Sequence, residues 1–453
     1  MLEVVILAAG KGTRMRSAKP KVLHTLAGSP FVSHVLDKSK ELAADAIHLV
    51  IGFGGDQVRA VFANENFNFV EQTEQLGTGH AVQQAMDDLK NDSTVLILYG
   101  DVPLIKTETL KNLLHVVSAT SMGLLTVRLQ NPQGYGRIVR DAQGKIISIV
   151  EQKDANADQL SINEVNTGVM ALNSRHLKAW LPTLKNNNAQ GEYYLTDLIE
   201  IAVKNRVEVI GAHPENEHEV AGVNDRRQQA ELERIYQRAI ADKLLDQGIS
   251  LVDPSRFDCR GKLTVGADSS IDINCIFEGE VVLGENVEIG PNCFIKNSTI
   301  ESGTIIYANT IIESSQIGDN CTIGPFARVR PETKLESGAK LGNFVETKKA
   351  HIGKGSKVNH LSYVGDAKVG NNVNIGAGTI TCNYDGANKH LTEIGDGVFV
   401  GSNTALVAPV KIGAMATIGA GAVVTSNVEE NQLVVARAHQ RNIDGWKRPV
   451  KKK

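Results

Sequence analysis

Val265-Gly266, Ile271-Asp272, Leu283-Gly284 and Ile289-Gly290 open a series in which an aliphatic residue returns in six-residue phase. The series runs on through Ile317-Gly318, Ile323-Gly324, Ile352-Gly353, Val369-Gly370, Ile375-Gly376, Ile394-Gly395, Ile412-Gly413 and Ile418-Gly419, and so occupies the stretch from about Val265 to Val424. Four places after the aliphatic stand small residues: Ser269, Cys275, Cys293, Cys321, Ala327, Ala339, Ser356, Thr379, Thr404 and Ala416. Such a phase fits neither an amphipathic helix nor an alternating strand. Hexapeptide repeats mark a parallel β-helix, in which each coil buries its aliphatic row only by stacking on its neighbours. An ordinary all-β sandwich would show alternation and turn signals without a fixed six-residue phase.

Three hexads per coil make about 18 residues per turn, so the region supplies roughly nine coils of a rigid prism. The spacing breaks conspicuously from Cys382 to Leu391, Cys-Asn-Tyr-Asp-Gly-Ala-Asn-Lys-His-Leu, which reads as a polar loop thrown out between two coils. Insertions of this kind mark the functional face of a repeat protein.

A chain of 453 residues is too long for one ordinary core, and two domains are the natural expectation. A net charge of -3 argues against a nucleic-acid or membrane partner, and the Lys451-Lys452-Lys453 tail reads as a solvated end. The run Val4-Val5-Ile6-Leu7-Ala8-Ala9 is too short to span a bilayer and has no basic lead, so neither a signal peptide nor a transmembrane segment is expected. The 5 cysteines show no paired metal spacing. Cys275, Cys293 and Cys321 fill the small slot of a hexad, as packing residues of a reducing cytoplasm would.

In the first half, Val4 to Ala8 reads as a buried parallel strand running into Gly10-Lys11-Gly12-Thr13-Arg14-Met15. A strand, a glycine-rich loop and a helical segment together place backbone N–H groups and a helix end where a phosphate can sit. This is neither the Walker pattern nor the dinucleotide fingerprint. The whole run from Leu7, Ala8 and Ala9 to Met15, followed by Pro20-Lys21, resembles the signature of nucleoside-diphosphate-sugar pyrophosphorylases. Arg14 and Lys21 are then two cations close to the loop, as a triphosphate requires.

Further strands at Ala46 to Ile51 and Thr94 to Leu98, with helical stretches between, predict a doubly wound α/β domain with ligands at the strand carboxyl ends. Two loops there carry chemistry, Gln72 to His80 and Tyr99-Gly100-Asp101-Val102-Pro103-Leu104. Gly77 and Thr78 suit the edge of a flat base. Asp101, just beyond an apolar strand, can hold Mg²⁺ together with substrate phosphates, or equally serve as a cap or turn residue. Gly134-Tyr135-Gly136-Arg137, Glu151-Gln152-Lys153 and Asn163 to Gly168 supply acceptors, an amide and permissive glycines for a sugar pocket, none diagnostic alone. Gly191 to Asp197 predicts a helix starting at Thr196 or Asp197. Gly222-Val223-Asn224-Asp225 precedes a long helix to about Gln247, with Leu232, Ile235, Tyr236, Ala239, Ile240 and Leu244 on one stripe and Gly248 as its stop. Asn224 reads as either its cap or a metal ligand.

Together with the loop Asn383-Tyr384-Asp385-Gly386 and with His360, the two halves resemble the bacterial family of bifunctional N-acetylglucosamine-1-phosphate uridyltransferases and glucosamine-1-phosphate N-acetyltransferases, from Leu2 through Arg448. The resemblance implies an α/β Rossmann-like nucleotidyltransferase domain (1–223), a linker helix (224–248), an all-β left-handed parallel β-helix (249–434) and a C-terminal tail (435–453). It matches Gly10, Lys21, Gln72, Gly77, Thr78, Gly136, Glu151 and Asn166 to UDP-sugar contacts, within loops that also hold Leu7, Ala8, Ala9, Tyr99 and Gly100. Asp101 and Asn224 match Mg²⁺ ligands. In the repeat it matches Arg330 and Lys348 to the sugar phosphate, Tyr363 and Asn374 to the sugar, and His360 to the base. Ala377, Asn383, Tyr384, Ser402, Ala420 and Arg437 match the acetyl-CoA site. UTP and acetyl-CoA are the implied co-substrates, and a cytoplasmic homotrimer with acetyl sites where prisms meet is the implied assembly.

The chemistry agrees, because acetyl transfer needs a neutral amine and histidine is the side chain suited to take its proton. His351, His390 and His439 read as bystanders, whereas His360 lies in a polar run, and Glu346, nearly one coil earlier, is expected to orient its imidazole. A nucleotidyltransferase with a merely regulatory β-helix would lack His360 and the Asn383-Tyr384 loop. A non-catalytic binding protein would have lost Arg14, Lys21 or Asp101. Metal hydration chemistry would need a histidine cluster between coils, and His351, His360 and His390 share no coil-to-coil spacing.

Overall fold

The computed structural model describes residues 1–451, so Lys452 and Lys453 of the basic tail lie outside the described residues. Two compact units divide between Tyr236 and Gln237, within the helix Arg226–Asp246.

The first unit is built on a mixed sheet whose central path runs, edge to edge, through Glu208–Ala212, Ser121–Arg128, Glu164–Asn173, Thr94–Tyr99, Leu2–Ala8, Ala46–Ile51 and Asn68–Glu71. Leu2–Ala8 pairs in parallel with Ala46–Ile51 on one side and Thr94–Tyr99 on the other, as the apolar runs predict. Val4 to Ile6 are fully buried and face two separate apolar clusters above and below the sheet. Each such aliphatic side chain contributes about 1.5–3 kcal/mol on burial. Glu164–Asn173 runs antiparallel to both its neighbours, which the alternating pattern of helices and strands could not reveal.

The glycine loop is followed by two single 3-10 turns, Thr13–Met15 and Lys21–Leu23, and the first α-helix begins only at Phe31. The expected helix end behind the loop is therefore absent, and backbone N–H groups with side-chain cations are what it offers. The predicted helix at Thr196 or Asp197 likewise starts as a 3-10 turn, Leu195–Asp197, before Leu198–Lys204, and Asp197 makes no capping hydrogen bond.

The second unit is a parallel β-helix. Eleven short strands stack on one face, from Ser250–Leu251 to Leu433–Val434, so the stack extends beyond the roughly nine coils counted from the hexads. Ile271 lies against Ile289 and Ile306 against Ile323, so the coil is not of one fixed length and shortens by a single residue between these two places. Across the Cys382–Leu391 loop the step is much longer, with Ile375 lying against Val400. The aliphatic row is buried with the exception of Val265, at the open end, and every small residue of the four-place slot is buried. The Cys275, Cys293 and Cys321 thiols donate to carbonyls of the next coil, Gly290, Tyr307 and Glu336, at 3.2–3.3 Å. That satisfies groups which apolar burial would otherwise strand.

The helix Arg226–Asp246 buries Leu232, Gln237, Ala241 and Leu244; Ala239 of the predicted stripe is exposed. Leu232 packs with Met15, Leu26, Phe31 and Val223, which fixes the segment just before the helix.

Candidate functional sites

The carboxyl ends of Leu2–Ala8, Asn68–Glu71 and Thr94–Tyr99 open onto a cavity of about 250 Å³. Its walls include ten residues named from sequence, Leu7, Ala8, Ala9, Gly10, Lys21, Gln72, Gly77, Thr78, Tyr99 and Asp101. Gly100, immediately before Asp101, donates from its N–H to Leu7 O at 2.9 Å and ties the two loops together. Sequence reading missed Val22, Gln75, Ala81 and Glu192 as wall residues. Glu192 lies in a stretch read as a helix start, and only the fold brings it against the Gln72 loop.

Gln72 is buried, and its Nε2 donates to Gly77 O at 3.1 Å. Gly77 has φ +113°, and a Cβ there would lie 2.6 Å from Tyr193 O, so glycine alone is accommodated. Thr78 Oγ1 accepts from Leu195 N at 3.2 Å and bonds the Tyr99 hydroxyl. Burial, with Asp101 and Glu151 nearby, pushes the Tyr99 phenol far up, so it stays neutral. Its ring lies on Gly168, where a Cβ would come within 2.4 Å.

Gly136 and Glu151, at the ends of the strands Arg137–Arg140 and Ile146–Val150, meet Asn166 of the strand Glu164–Asn173. Asn166 N donates to Gly136 O at 2.9 Å, a Cβ on Gly136 would stand 3.2 Å from Glu151 Oε1, and Thr196 Oγ1 donates to that oxygen at 3.2 Å. Burial raises the Glu151 carboxyl above its ordinary range, and the Thr196 hydroxyl opposes this. An acceptor held in this way suits sugar hydroxyls.

Asn224 does not cap the helix. The cap of the helix is Asp225, whose Oδ1 accepts from Arg227 N at 2.9 Å and Gln228 N at 3.0 Å. Asn224 Oδ1 instead accepts from Arg14 Nη2 at 2.9 Å and Lys21 Nζ at 3.1 Å, and Lys21 also forms an ion pair with Asp101. Val223 N donates to Asp101 O at 2.9 Å, pinning the segment to the strand end. A carboxylate and an amide oxygen thus converge on one ammonium, which stands in for a cation. This is a donor set that fits Mg²⁺, an ion usually bound by one or two protein oxygens with water and substrate phosphates.

In the β-helix the predicted residues gather along one edge. Gly378 N donates to His360 O at 3.3 Å, Asn403 N to Ala377 O at 2.7 Å and Gly421 N to Ser402 O at 2.8 Å, and Arg437 donates to Ala420 O. His360, Ala377, Ser402 and Ala420 are thus successive steps of one column. Past the corner, Arg330 donates to Thr347 O through its backbone N–H, which sets it beside Lys348 on adjacent coils. Arg330 pairs with Glu346 at 2.7 Å, whereas Lys348 has no ion pair among the described residues. Two cations with one counter-charge favour an anion such as phosphate. The Tyr363 hydroxyl lies over Gly365, the coil partner of Lys348, and Asn383 Nδ2 approaches it at 3.4 Å while donating to Asp366.

Asn374 is placed differently. It lies on the strand Asn374–Ile375, in the sheet before the corner, in register with Lys357 and Phe399. Tyr384 sits exposed in the inserted loop, with Lys389 Nζ 4.2 Å from its ring centroid. Glu346 does not orient His360. Asn343 does, its Oδ1 lying 2.8 Å from His360 Nδ1, because the two are in register on adjacent coils while Glu346 falls beside Tyr363. His351 and His390 pair with Glu336 at 3.0 Å and Asp385 at 2.7 Å.

Residues 4–159 match the MobA-like NTP transferase domain, 259–335 the GMPPB C-terminal domain, and 391–426 the bacterial transferase hexapeptide of six repeats. The chain is 64% identical over 452 residues to the bifunctional protein GlmU of Saccharophagus degradans, covering 100% of both chains. It is 58% identical over 450 residues to that of Marinobacter nauticus, covering 99% of both, and 58% identical over 452 residues to that of Cellvibrio japonicus, covering 100% of both. With relatives this similar from end to end, the chain belongs to the family of bifunctional GlmU proteins.

Proposed function

We propose a residue-level account of the two transfers that make UDP-N-acetylglucosamine, the precursor of peptidoglycan and lipopolysaccharide. The chain is a glucosamine-1-phosphate N-acetyltransferase and a UDP-N-acetylglucosamine diphosphorylase. The observation that carries the account is that two separate constellations exist, one in each unit: Lys21, Asp101 and Asn224 at a cavity beyond the strand ends, and, in the β-helix, His360 held by Asn343 with Arg330 and Lys348 adjacent to each other past the corner.

In the acetyl step Arg330 and Lys348 hold the sugar phosphate, and Tyr363 and Asn374 the sugar. His360 Nε2 takes a proton from the substrate ammonium. The freed amine forms a bond to the thioester carbonyl of acetyl-CoA, the C–S bond breaks, and the departing sulfur takes a proton. Ala377, Asn383, Tyr384, Ser402, Ala420 and Arg437 line the groove for the acyl donor.

In the uridylyl step the sugar-phosphate oxygen bonds to the α-phosphorus of UTP and the bond to the bridging oxygen breaks, releasing pyrophosphate. Charge stabilisation dominates such a reaction. Gln72, Gly77 and Thr78 hold the base, Gly136, Glu151 and Asn166 the sugar, and the backbone from Leu7 to Gly10 with Tyr99 and Gly100 closes the pocket. Arg14 and Lys21 turn from Asn224 and Asp101 to the phosphates, leaving those two oxygens for Mg²⁺, which supplies further neutralisation of phosphate charge when bound.

Assembly as a homotrimer is supported by a ridge beside His360. Phe326, Phe344 and Leu361 occupy successive coils with φ of +55°, +57° and +48°, at 51%, 55% and 64% exposure, and the two phenylalanine rings stack at 5.4 Å. Bulky residues in left-handed conformations cost about 1–2 kcal/mol each, and exposed apolar ridges mark association surfaces. Among the described residues no helix is long and apolar enough to cross a membrane, and a cytoplasmic setting also accords with the 5 free cysteines, four of them buried.

The test is to incubate the purified chain with glucosamine-1-phosphate, acetyl-CoA, UTP and Mg²⁺ and follow coenzyme A, pyrophosphate and UDP-N-acetylglucosamine, with light scattering for the trimer. Acetyl transfer without nucleotide transfer, or the reverse, would overturn the two-site account.

A further inference from the structure

His360 and Asn343 meet across adjacent coils, Nδ1 to Oδ1, at 2.8 Å. The strands Lys340–Asn343 and Lys357–His360 pair in parallel with these two residues in register. Gly342 makes the approach possible, since a Cβ there would stand 1.9 Å from Asn359 O. The exposed Nε2 has no hydrogen-bond partner among the described residues.

We propose that Asn343 is a positioning residue of the acetyl-transfer site, holding the neutral His360 ring in the tautomer that carries its proton on Nδ1 and its lone pair on Nε2. A neutral imidazole has one donor and one acceptor nitrogen, and the hydrogen bond made by one sets the role of the other. The amide oxygen of Asn343 can only accept, so it selects the Nδ1–H form and aims the lone pair of Nε2 at the outer surface, where the amine arrives. The inference rests on the reading of His360 as the base.

The charges around the pair are few. Lys340 and Lys357 lie in register at the other end of the two strands, and Asn374, the partner of Lys357 on the next coil, is uncharged. Past the corner, Glu346 is engaged by Arg330, and Lys348 lies two residues beyond it. An uncharged acceptor therefore fixes the ring without adding a counter-charge that would favour imidazolium over the base form. Asn343→Asp supplies that charge and should move the acid limb of the acetyl-transfer pH profile to higher pH.

The test uses the full chain labelled with ¹⁵N-histidine, with His360→Ala to assign the resonances. Wild type should show Nδ1 protonated and Nε2 bare in the neutral ring, and Asn343→Ala should lose that preference. Acetyl-transfer kcat should fall roughly 10- to 100-fold in Asn343→Ala with little change in either KM. Asn343→Asp should recover rate above its shifted limb, and a wild-type circular dichroism spectrum with unchanged acetyl-CoA binding in both variants reports that the β-helix is folded. A wild-type ring protonated on Nε2, an unchanged tautomer in Asn343→Ala, or an unmoved limb in Asn343→Asp each overturns the role of Asn343 while leaving His360 as base. A changed tautomer with an unchanged kcat, together with a normal rate in His360→Ala, overturns the base reading itself and the inference with it.

Discussion

Asn224 Oδ1 accepts a hydrogen bond from Lys21 Nζ at 3.1 Å, across 203 residues of sequence. The contact joins the segment before the long helix to the glycine-loop region and makes Asn224 part of a site, while the adjacent Asp225 caps the helix. The division of labour is measurable. Asp225→Ala should lower the midpoint of denaturant unfolding, as loss of a cap does, with uridylyl transfer retained. Asn224→Ser should stay within about 0.5 kcal/mol of wild type yet need a higher Mg²⁺ concentration for the uridylyl step. Normal Mg²⁺ dependence in that variant would leave Asn224 with no part in binding the metal.

Among the described residues, Asp101 is the carboxylate that pairs with Lys21. Asp101→Ala should abolish nucleotide transfer and leave acetyl transfer nearly intact, because the second activity uses residues of the other unit. Parallel loss of both activities in a variant with a wild-type circular dichroism spectrum would contradict two independent sites.

For His360, positioned general bases typically contribute about 10² to 10⁴ in rate, and His360→Ala should lower acetyl-transfer kcat by that factor with little change in acetyl-CoA binding. The acid limb of the wild-type profile should vanish with it. Near-normal acetyl transfer would mean that the amine loses its proton to another group or to water.

Glu151 gives a pH signature. Burial raises its carboxyl in the folded chain, so folding favours the protonated form. The linked stability is therefore present below the unfolded carboxylate pKa and is lost as pH rises through the raised folded value. Glu151→Gln should flatten that part of the stability profile and remove the penalty at neutral pH. It should also weaken the sugar substrate roughly tenfold or more, since hydrogen bonds to a charged acceptor are worth about 1.5–3 kcal/mol. A sugar KM equal to wild type would place the hydroxyl contacts elsewhere.

The solenoid and the phosphate loop were legible because both are local. A hexad repeats its instruction in every coil, and its aliphatic and small positions, such as Ile323 and Ala327, are buried as the phase requires. A strand followed by Gly10-Lys11-Gly12 carries its chemistry within a few residues. Pairings across coils were not legible. Glu346 and Asn343 both lie close to one coil before His360, and only the local coil length, which varies by a residue along the solenoid, puts Asn343 under the imidazole. On paper Asn224 was the cap candidate. The tertiary structure gives the cap to Asp225, because Arg14 and Lys21 reach the Asn224 oxygen and leave the free helix N–H groups to its neighbour. Composition and period determine what a segment can bury, whereas competition among distant polar groups for one acceptor is resolved only when the chain has folded.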